Sequence, residues 1–566
     1  MGILSCYTLK NNMPHNFFKK SLNILLRRQT NILSAAFILM LTVIFSQILG
    51  LVRQRLLVAI FGASNTLGVY LVSTKLPESL FQLIIAGALS SAFIPIFSEF
   101  LIKGKEKEAH KMASTLLVLG LIIFFFLSLI LFIFTPFFLQ LFNLGSGFSQ
   151  EEMMLMANLT RIIIIGELLF IVGTFFSVLL QSYSHFFIPG IAAALYNLGI
   201  ILGILGLSTT FGIFAPAYGV VLGSLIFIGV QLPMVRSVGF SFRPSLSLKI
   251  PGVTDVFKLM WPRTLSIAIL QLGTLITVTL ISFLPSSGRN YVIFDYAQTL
   301  AFAPIVLFGQ TIAQAAFPVL SREREKLAEF KTTFITSFHQ MLYLILPVSA
   351  LFCILRIPIV RLVFGAAQFD WQATVLTGKT LAFFTLSIFA QALVYLVSRG
   401  FYALHDTKTP LFISMLATMA MVLTGILFIL VYHLGVERLA LSYSIANILN
   451  FVVLLFLLDK KIGRFSRTAL IFPVIKIFLA TIFMGFALYM PIKLLDQLVF
   501  DTTRTINLIL LTSISSVIGL SFYLLLTWFL NVKEATTFIL LFKKIGNWRE
   551  ILSKSEETME GRSFSP

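Results

Sequence analysis

The stretch Lys103–Phe142, KGKEKEAHKMASTLLVLGLIIFFFLSLILFIFTPFFLQLF, decides the fold. Four lysines (Lys103, Lys105, Lys107, Lys111) crowd its start, and from Met112 to Phe142 no charged residue follows. A helix of about 20 apolar residues crosses a hydrocarbon layer of roughly 30 Å. Within that layer a helix satisfies every backbone N–H and C=O internally. The stretch therefore reads as a basic membrane-surface loop feeding a transmembrane helix.

Moving outward, the same pattern recurs from Ile32 to Leu530. Spans are expected at 32–61, 66–100, 112–142, 153–183, 187–209, 214–235, 256–284, 290–320, 337–364, 371–402, 408–433, 437–458, 468–493 and 505–532. The chain of 566 residues is 58% hydrophobic and 11% charged, with 59 Phe, too little polar surface to cover a soluble core. The fold class is thus an all-α polytopic membrane protein with about 14 transmembrane helices. Spans longer than about 25 residues imply tilt or kinks, and Pro77, Pro95, Pro304 and Pro347 are the expected kink points. The first apolar run is too long for a signal-peptide core, so the first span is expected to be retained.

Charge sets the orientation. The net +19 does not form a nucleic-acid stripe, because the cations cluster in short segments between apolar runs. One set of connections carries Lys103–Lys111, Arg236/Arg243/Lys249, Arg322/Arg324/Lys326/Lys331 and Lys460/Lys461/Arg464/Arg467. The alternate loops 62–65, 143–152, 209–213 and 365–370 contain no Lys or Arg. The positive-inside rule places the basic set and both termini in the cytoplasm. The segment Ser321–Gln340 reads as an amphipathic cytoplasmic extension of a span, its charges forming a solvated face or a lipid-surface contact. Cys6 and Cys353 make no disulfide framework, and the six histidines are scattered, so neither metal nor cofactor is expected.

An internal duplication organises the chain. Ser91–Ser98 (SAFIPIFS) matches Ala315–Ser321 (AAFPVLS), and Gln181–Pro189 (QSYSHFFIP) matches Tyr402–Pro410 (YALHDTKTP). The step along the chain from Ser98 to Ser321 nearly equals that from Pro189 to Pro410. Six spans separate the copies, which implies two parallel six-helix lobes with pseudo-symmetry and a substrate site expected between them. The expected organisation is a basic N-terminal segment 1–31, an N-lobe 32–240, a C-lobe 241–459, a two-helix C-terminal appendage 460–532 and a cytoplasmic tail 533–566.

Several motifs carry a family resemblance. Ser46–Arg53 (SQILGLVR), Lys75-Leu-Pro77 with Gly87–Phe93 (GALSSAF), Leu159-Thr-Arg161, Gln231-Leu-Pro233, Phe317–Arg322 and Pro358–Phe364 occur in order. The most specific is Ser398–Pro410 (SRGFYALHDTKTP). Together they resemble the MurJ/MviN lipid II flippases of the MOP exporter superfamily over roughly residues 32–530. The resemblance implies fourteen helices in two lobes around a cavity, a C-terminal helix pair lining a lipid groove, and alternating-access transport of lipid II to the outer leaflet.

A cavity that handles pyrophosphate needs cations, and ionisable groups within spans are the places to look. Arg53 matches the family's cavity arginine, with a snorkelling anchor as the other reading. Lys75 fits the Lys-Leu-Pro motif, and Glu78 three residues on is either its neutralising partner or part of the coupling machinery. Arg263, after Trp261-Pro262, is a substrate contact or an interface anchor. Asp406 is a loop cap or a coupling residue. Arg161, Glu167 and Asp295 complete the charges in or near spans. The chain departs from the family pattern at Gln47, Gln54, Leu67, Phe81-Gln82, Ala86 and Gln298-Thr299, where charged residues usually stand.

The leading function is a flippase for a lipid-linked peptidoglycan precursor, driven by the membrane potential or a cation gradient. Export of another polyprenyl-linked saccharide or amphiphile, and a non-transporting scaffold for cell-wall synthesis proteins, are the alternatives. An enzyme is not expected: the outer loops are short, and Glu151, Glu152 and Asp370 form no evident acid–base pair. Partners would be the lipid-linked precursor, membrane lipids and cell-wall synthesis proteins, with no nucleic acid.

Overall fold

The computed structural model describes residues 32–86, 89–141, 147–247, 249–498 and 504–536; the basic segment 1–31 and the tail beyond residue 536 lie outside them. All regular structure among the described residues is helical. The chain forms two compact units, residues 1–292 with 363–370, and 293–362 with 371–566.

The first unit contains α1 (Ile32–Phe61), α2 (Asn65–Ser73), α3 (Lys75–Phe81), α4 (Leu89–Ile102), α5 (Glu106–Ile133), α6 (Thr135–Leu141), α7 (Gln150–Ser182), α8 (Phe187–Phe211), α9 (Ala215–Ser237), α10 (Val253–Ser282) and the start of α11 (Ser287–Pro304). The second takes the rest of α11, then α12 (Thr311–Arg322), α13 (Leu327–Ile354), α14 (Arg356–Phe364) up to Leu362, α15 (Trp371–Thr385), α16 (Ile388–Ala403), α17 (Lys408–Ile426), α18 (Glu437–Lys461), α19 (Arg467–Leu498) and α20 (Thr505–Phe529). Eleven helical stretches among the described residues are long and apolar enough to span a membrane, and one of them, Phe187–Ser237, holds both α8 and α9. Shorter apolar helices, Ala92–Ile102 and Ile267–Ser282, stand at the second and seventh expected positions. About fourteen spans are therefore present.

Local chemistry explains the boundaries. Ser149 and Glu152 form a capping box at the start of α7: the Glu152 N–H donates to Ser149 Oγ (3.2 Å), and the Ser149 N–H donates to Glu152 Oε2 (2.9 Å). Gly212, at φ 53°, turns α8 into α9 with a conformation that costs a glycine little. The two helices then pack against each other through facing glycines. A Cβ on Gly199 would lie 2.4 Å from the Gly223 Cα, and one on Gly203 would lie 2.4 Å from the Gly219 Cα. Lipid supplies no hydrophobic drive for helix pairing, so close backbone contact through small residues must hold such pairs. Phenylalanines fill the wider gap, as where Phe93 stacks on Phe97 and meets Phe175 edge-on.

The duplication is written into the backbone. π-helical turns begin at Gln82 and again at Ile305, the same step along the chain as from Ser98 to Ser321. Left-handed residues recur in pairs at nearly that step: Gly62 with Ser286, Ser184 with His405, Gly212 with His433 and Gly239 with Gly463. At the second pair even the hydrogen bonds repeat, since the His185 N–H donates to Leu180 O and the Asp406 N–H to Phe401 O, both at 2.9 Å. Pro77 and Pro304 each precede one of the π turns.

Ser321–Gln340 agrees with expectation in part. Residues 327–340 extend the following span as the start of α13, but the preceding helix stops at Arg322 and the chain turns through residues 323–326. Its charges lie around that turn, so a periodic helical face is interrupted by a chain reversal that composition does not announce.

Two polar clusters anchor chain segments within the units. In the first unit Arg289 grips both carboxylate oxygens of Asp370 (2.9 and 2.8 Å), and its N–H donates to Asn65 Oδ1 (3.1 Å). Arg55 donates to Gly365 O (3.3 Å), an end-of-helix anchor rather than a partner for Arg53. In the second unit α13 holds α19 and α20: the Tyr523 hydroxyl donates to Tyr343 O (2.8 Å), and His339 meets Leu470 O (3.0 Å) and Glu534 (3.8 Å).

The glycine contact can be tested directly. Gly203→Val should lower stability by about 1–3 kcal/mol through overpacking. Gly206→Val, where nothing lies within 4 Å, should change it little. Thermal unfolding of the purified protein in detergent micelles compares the two.

Candidate functional site

The first unit brings several charges of its helices together. Arg53 lies on α1, Lys75 and Glu78 on α3, and Glu167 midway along α7. The buried Tyr70 phenol, on α2, lies within electrostatic range of both Arg53 and Lys75. Tyr196, on α8, senses Glu167, Arg53, Tyr70 and Glu78. Five helices thus bring two cations, two carboxyls and two phenols into one neighbourhood.

Each member is held differently. Lys75 pairs with Glu78 at 3.5 Å, and the lysine side chain is 18% exposed against 48% for the glutamate. One helical turn separates them, which is the spacing of a surface ion pair. Behind them, Ser79 donates to Gln271 Oε1 (3.1 Å), fixing α3 against α10. The Tyr196 ring packs on Phe170 (4.6 Å between centroids), and Phe170 stacks on Phe227 at 4.7 Å. Glu167 Oε2 is buried and has no hydrogen-bond partner. A carboxyl with such an oxygen in a membrane-spanning helix is an expensive arrangement, and one expected at a working site.

The second copy carries none of these charges at the corresponding positions. At the spacing of the neighbouring backbone markers, Arg53 corresponds to Thr277, Lys75 to Gln298, Glu78 to Ala301 and Glu167 to Ile388. The backbone devices are duplicated, and the charges are not.

The remaining sequence-selected residues fall elsewhere. Arg263 belongs to α10, but its side chain lies outside the described residues. Asp406 sits in the turn before α17 and accepts from the Thr409 N–H (3.0 Å), the Thr409 hydroxyl (2.8 Å) and the Lys461 ammonium. Partial burial raises the affinity of its carboxyl for a proton, but the hydrogen bonds from Lys461 and Thr409 outweigh that and hold its pKa to about 2. Arg161 donates to Phe132 O and Asn158 Oδ1 (both 3.2 Å) and lies over the Phe132 ring, the set of contacts of an anchor. Sequence reasoning passed over Tyr70 and Tyr196, which look like ordinary span aromatics until the helices are packed. Among the described residues no group of three or more His, Cys, Asp or Glu could hold a metal ion.

Comparison with known proteins bears on this unit and the whole chain. A family model described as "Lipid II flippase MurJ" matches residues 57–508. A Thermotoga maritima protein named "Probable lipid II flippase MurJ" is 29% identical over 78% of this chain and 89% of its own length. A solved "Lipid II flippase MurJ, inward closed conformation" matches with a TM-score of 0.71 and 24% identity, covering 86% of this chain and 98% of that one. A multidrug resistance MATE family transporter of the MOP superfamily, solved in an inward-facing conformation, matches at a TM-score of 0.61 and 14% identity over 74% of this chain and 94% of its own. At these identities the solved structures establish the fold.

The contacts of Asp406 have a measurable signature. Asp406→Ala should destabilise the protein by about 1 kcal/mol, the usual cost of losing a helix cap. Because the folded-state pKa is depressed, the stabilisation is present above the ordinary value near 4 and is lost as pH falls toward 2. Unfolding curves for wild type and variant should therefore differ at pH 6 and converge toward pH 2.

Proposed function

Because the chain belongs to the MurJ family of lipid II flippases, we propose that it carries lipid II, the undecaprenyl-pyrophosphate-linked peptidoglycan precursor, from the inner to the outer leaflet by alternating access. The observation that carries this reading is the family match across residues 57–508, a region that includes Lys75 and nearly all the helices of its charge cluster. Arg53 stands just ahead of that region, on α1.

The chemistry follows from the cargo. A pyrophosphate crossing the hydrocarbon layer needs positive charge that is already dehydrated and oriented. Arg53 supplies a planar fork suited to two phosphate oxygens, and Lys75 a compact point charge. Tyr70, within electrostatic range of both, supplies a phenol. No covalent step is required, so the protein acts as a transporter and its cycle is conformational. A potential negative inside drives each negative charge outward by about 2.3 kcal/mol per 100 mV, and a cation gradient would add to this. The alternation of bare and basic loops supports a bacterial inner-membrane location with both termini cytoplasmic. There it would meet membrane lipids and cell-wall synthesis proteins.

Reconstituted vesicles containing labelled lipid II test this reading through accessibility of the label from outside. Losing one hydrogen bond to a charged group is worth about 1.5–3 kcal/mol, so Arg53→Ala and Lys75→Ala should each slow translocation by roughly ten- to hundredfold. Absence of translocation by the wild type would sink the cargo assignment.

A further inference from the structure

The cluster contains one group that cargo binding does not use. Glu167 lies halfway along α7, and its Oε2 is shut away from the surface with no hydrogen-bond donor in reach. An ionised carboxylate in that position has at Oε2 neither water nor a donor to replace its hydration, whereas the neutral acid has no such charge to solvate. Its charged neighbour is Glu78 of α3, a like charge, and Tyr196 of α8 is its phenolic neighbour. Tyr70 of α2 and Arg53 of α1 lie one step further, grouped around Tyr196.

The other elements packed on α7 keep their charges distant. α5 carries Glu106, Lys107, Glu108, His110 and Lys111 at the end where His110 meets Tyr183. From Glu167 to that end is about four helical turns, or about 24 Å at the helical rise. α4 carries Glu99 and α9 carries Arg236, each in the last turns, while α6 contains no ionisable residue. On α7 itself, Arg161 is occupied by Phe132 O and Asn158. α2 adds Tyr70 alone.

We propose that Glu167 is a proton-carrying residue of the transport cycle, taking a proton on its carboxyl in the helix packing of the first unit and returning it when the carboxyl meets water. The exchange is a plain transfer: an O–H bond forms on Glu167 as one in hydronium breaks, and the reverse step returns the proton to water. The ligand is a proton rather than a metal ion. Arg53 and Lys75 already place positive charge in the neighbourhood, and no metal-holding group of three acids or histidines occurs among the described residues.

The link to cargo runs through Glu78. It pairs with Lys75 on one side and repels a charged Glu167 on the other. An anionic headgroup that takes Lys75 leaves Glu78 without its counter-ion, and that favours a proton on Glu167. This link rests on the reading of Lys75 as a cargo contact; the proton site itself does not. The second repeat has Ile388 at the corresponding position, so the device belongs to the first unit alone.

Two measurements test the proposal on the full chain in lipid. Infrared spectra of the protein in nanodiscs at pH 7 should contain the C=O stretch of a neutral carboxylic acid, present in wild type and Glu167→Asp and missing in Glu167→Gln. Vesicles with labelled lipid II should translocate about fivefold faster or slower under an imposed pH gradient, and Glu167→Gln should flip lipid II without responding to the gradient. Glu167→Asp, which keeps the carboxyl, should keep the response and guards against a folding defect in the amide variant. Persistence of the band in Glu167→Gln, or an unchanged gradient response in that variant, would overturn the proposal. If wild type shows the band but moves no lipid II, the proton site stands and the cargo reading falls.

Discussion

A chain in hydrocarbon must satisfy every backbone donor and acceptor from within, and the whole architecture follows from that demand. The polar side chains obey it too. Thr42, Ser114 and Ser224 each return a hydroxyl hydrogen bond to the carbonyl one turn earlier on their own helix, and Thr135 at the start of α6 returns one to Leu131 O of α5. Gln231, wholly buried, donates to Gly173 O and Phe227 O and accepts from the Ser177 hydroxyl. With these needs met internally, the outer faces are left to Ile, Leu and Phe, as along α5, where Ile122, Phe125, Phe126 and Ile133 are exposed.

Against that background a charge in mid-span is the exception, and its placement carries information. Most cations sit at helix ends or in connections, where Arg289 closes on Asp370 and Lys461 on Asp406. The first unit brings Arg53, Lys75, Glu78 and Glu167 into one neighbourhood of its packed helices. Paired opposite charges there offset part of their desolvation, and the like-charged acids do not. Such an arrangement costs stability and marks the cluster as the candidate working site.

The duplicated backbone and the unduplicated charges show two pressures acting separately. Left-handed turns and π turns recur at a nearly constant step along the chain because they aim whole helices. The side chains at the cluster are free to differ because the backbone turns that aim the helices do not depend on them. The π turns also explain why the site resisted reading from sequence. Each opens the helix to five-residue hydrogen bonding and resets the direction in which later side chains point. Lys75 and Glu78 precede such a turn, so periodicity alone cannot carry their direction across it.

Arg53 and Lys75 were legible as charges in spans and as motif matches, and the repeat was legible from two short similarities. Tyr70 and Tyr196 were not, since one aromatic among many in a span has no local mark. Glu167 could be picked out as a charge, but the isolation of its oxygen could not. The sequence by itself determined where helices cross the membrane and that the chain is doubled, because transfer of apolar residues and capping of helix ends add up locally along the chain. Only the tertiary structure decided which charges share a neighbourhood and which oxygen is left alone. Those depend on the rotation of each packed helix, a property of its neighbours rather than of its own residues.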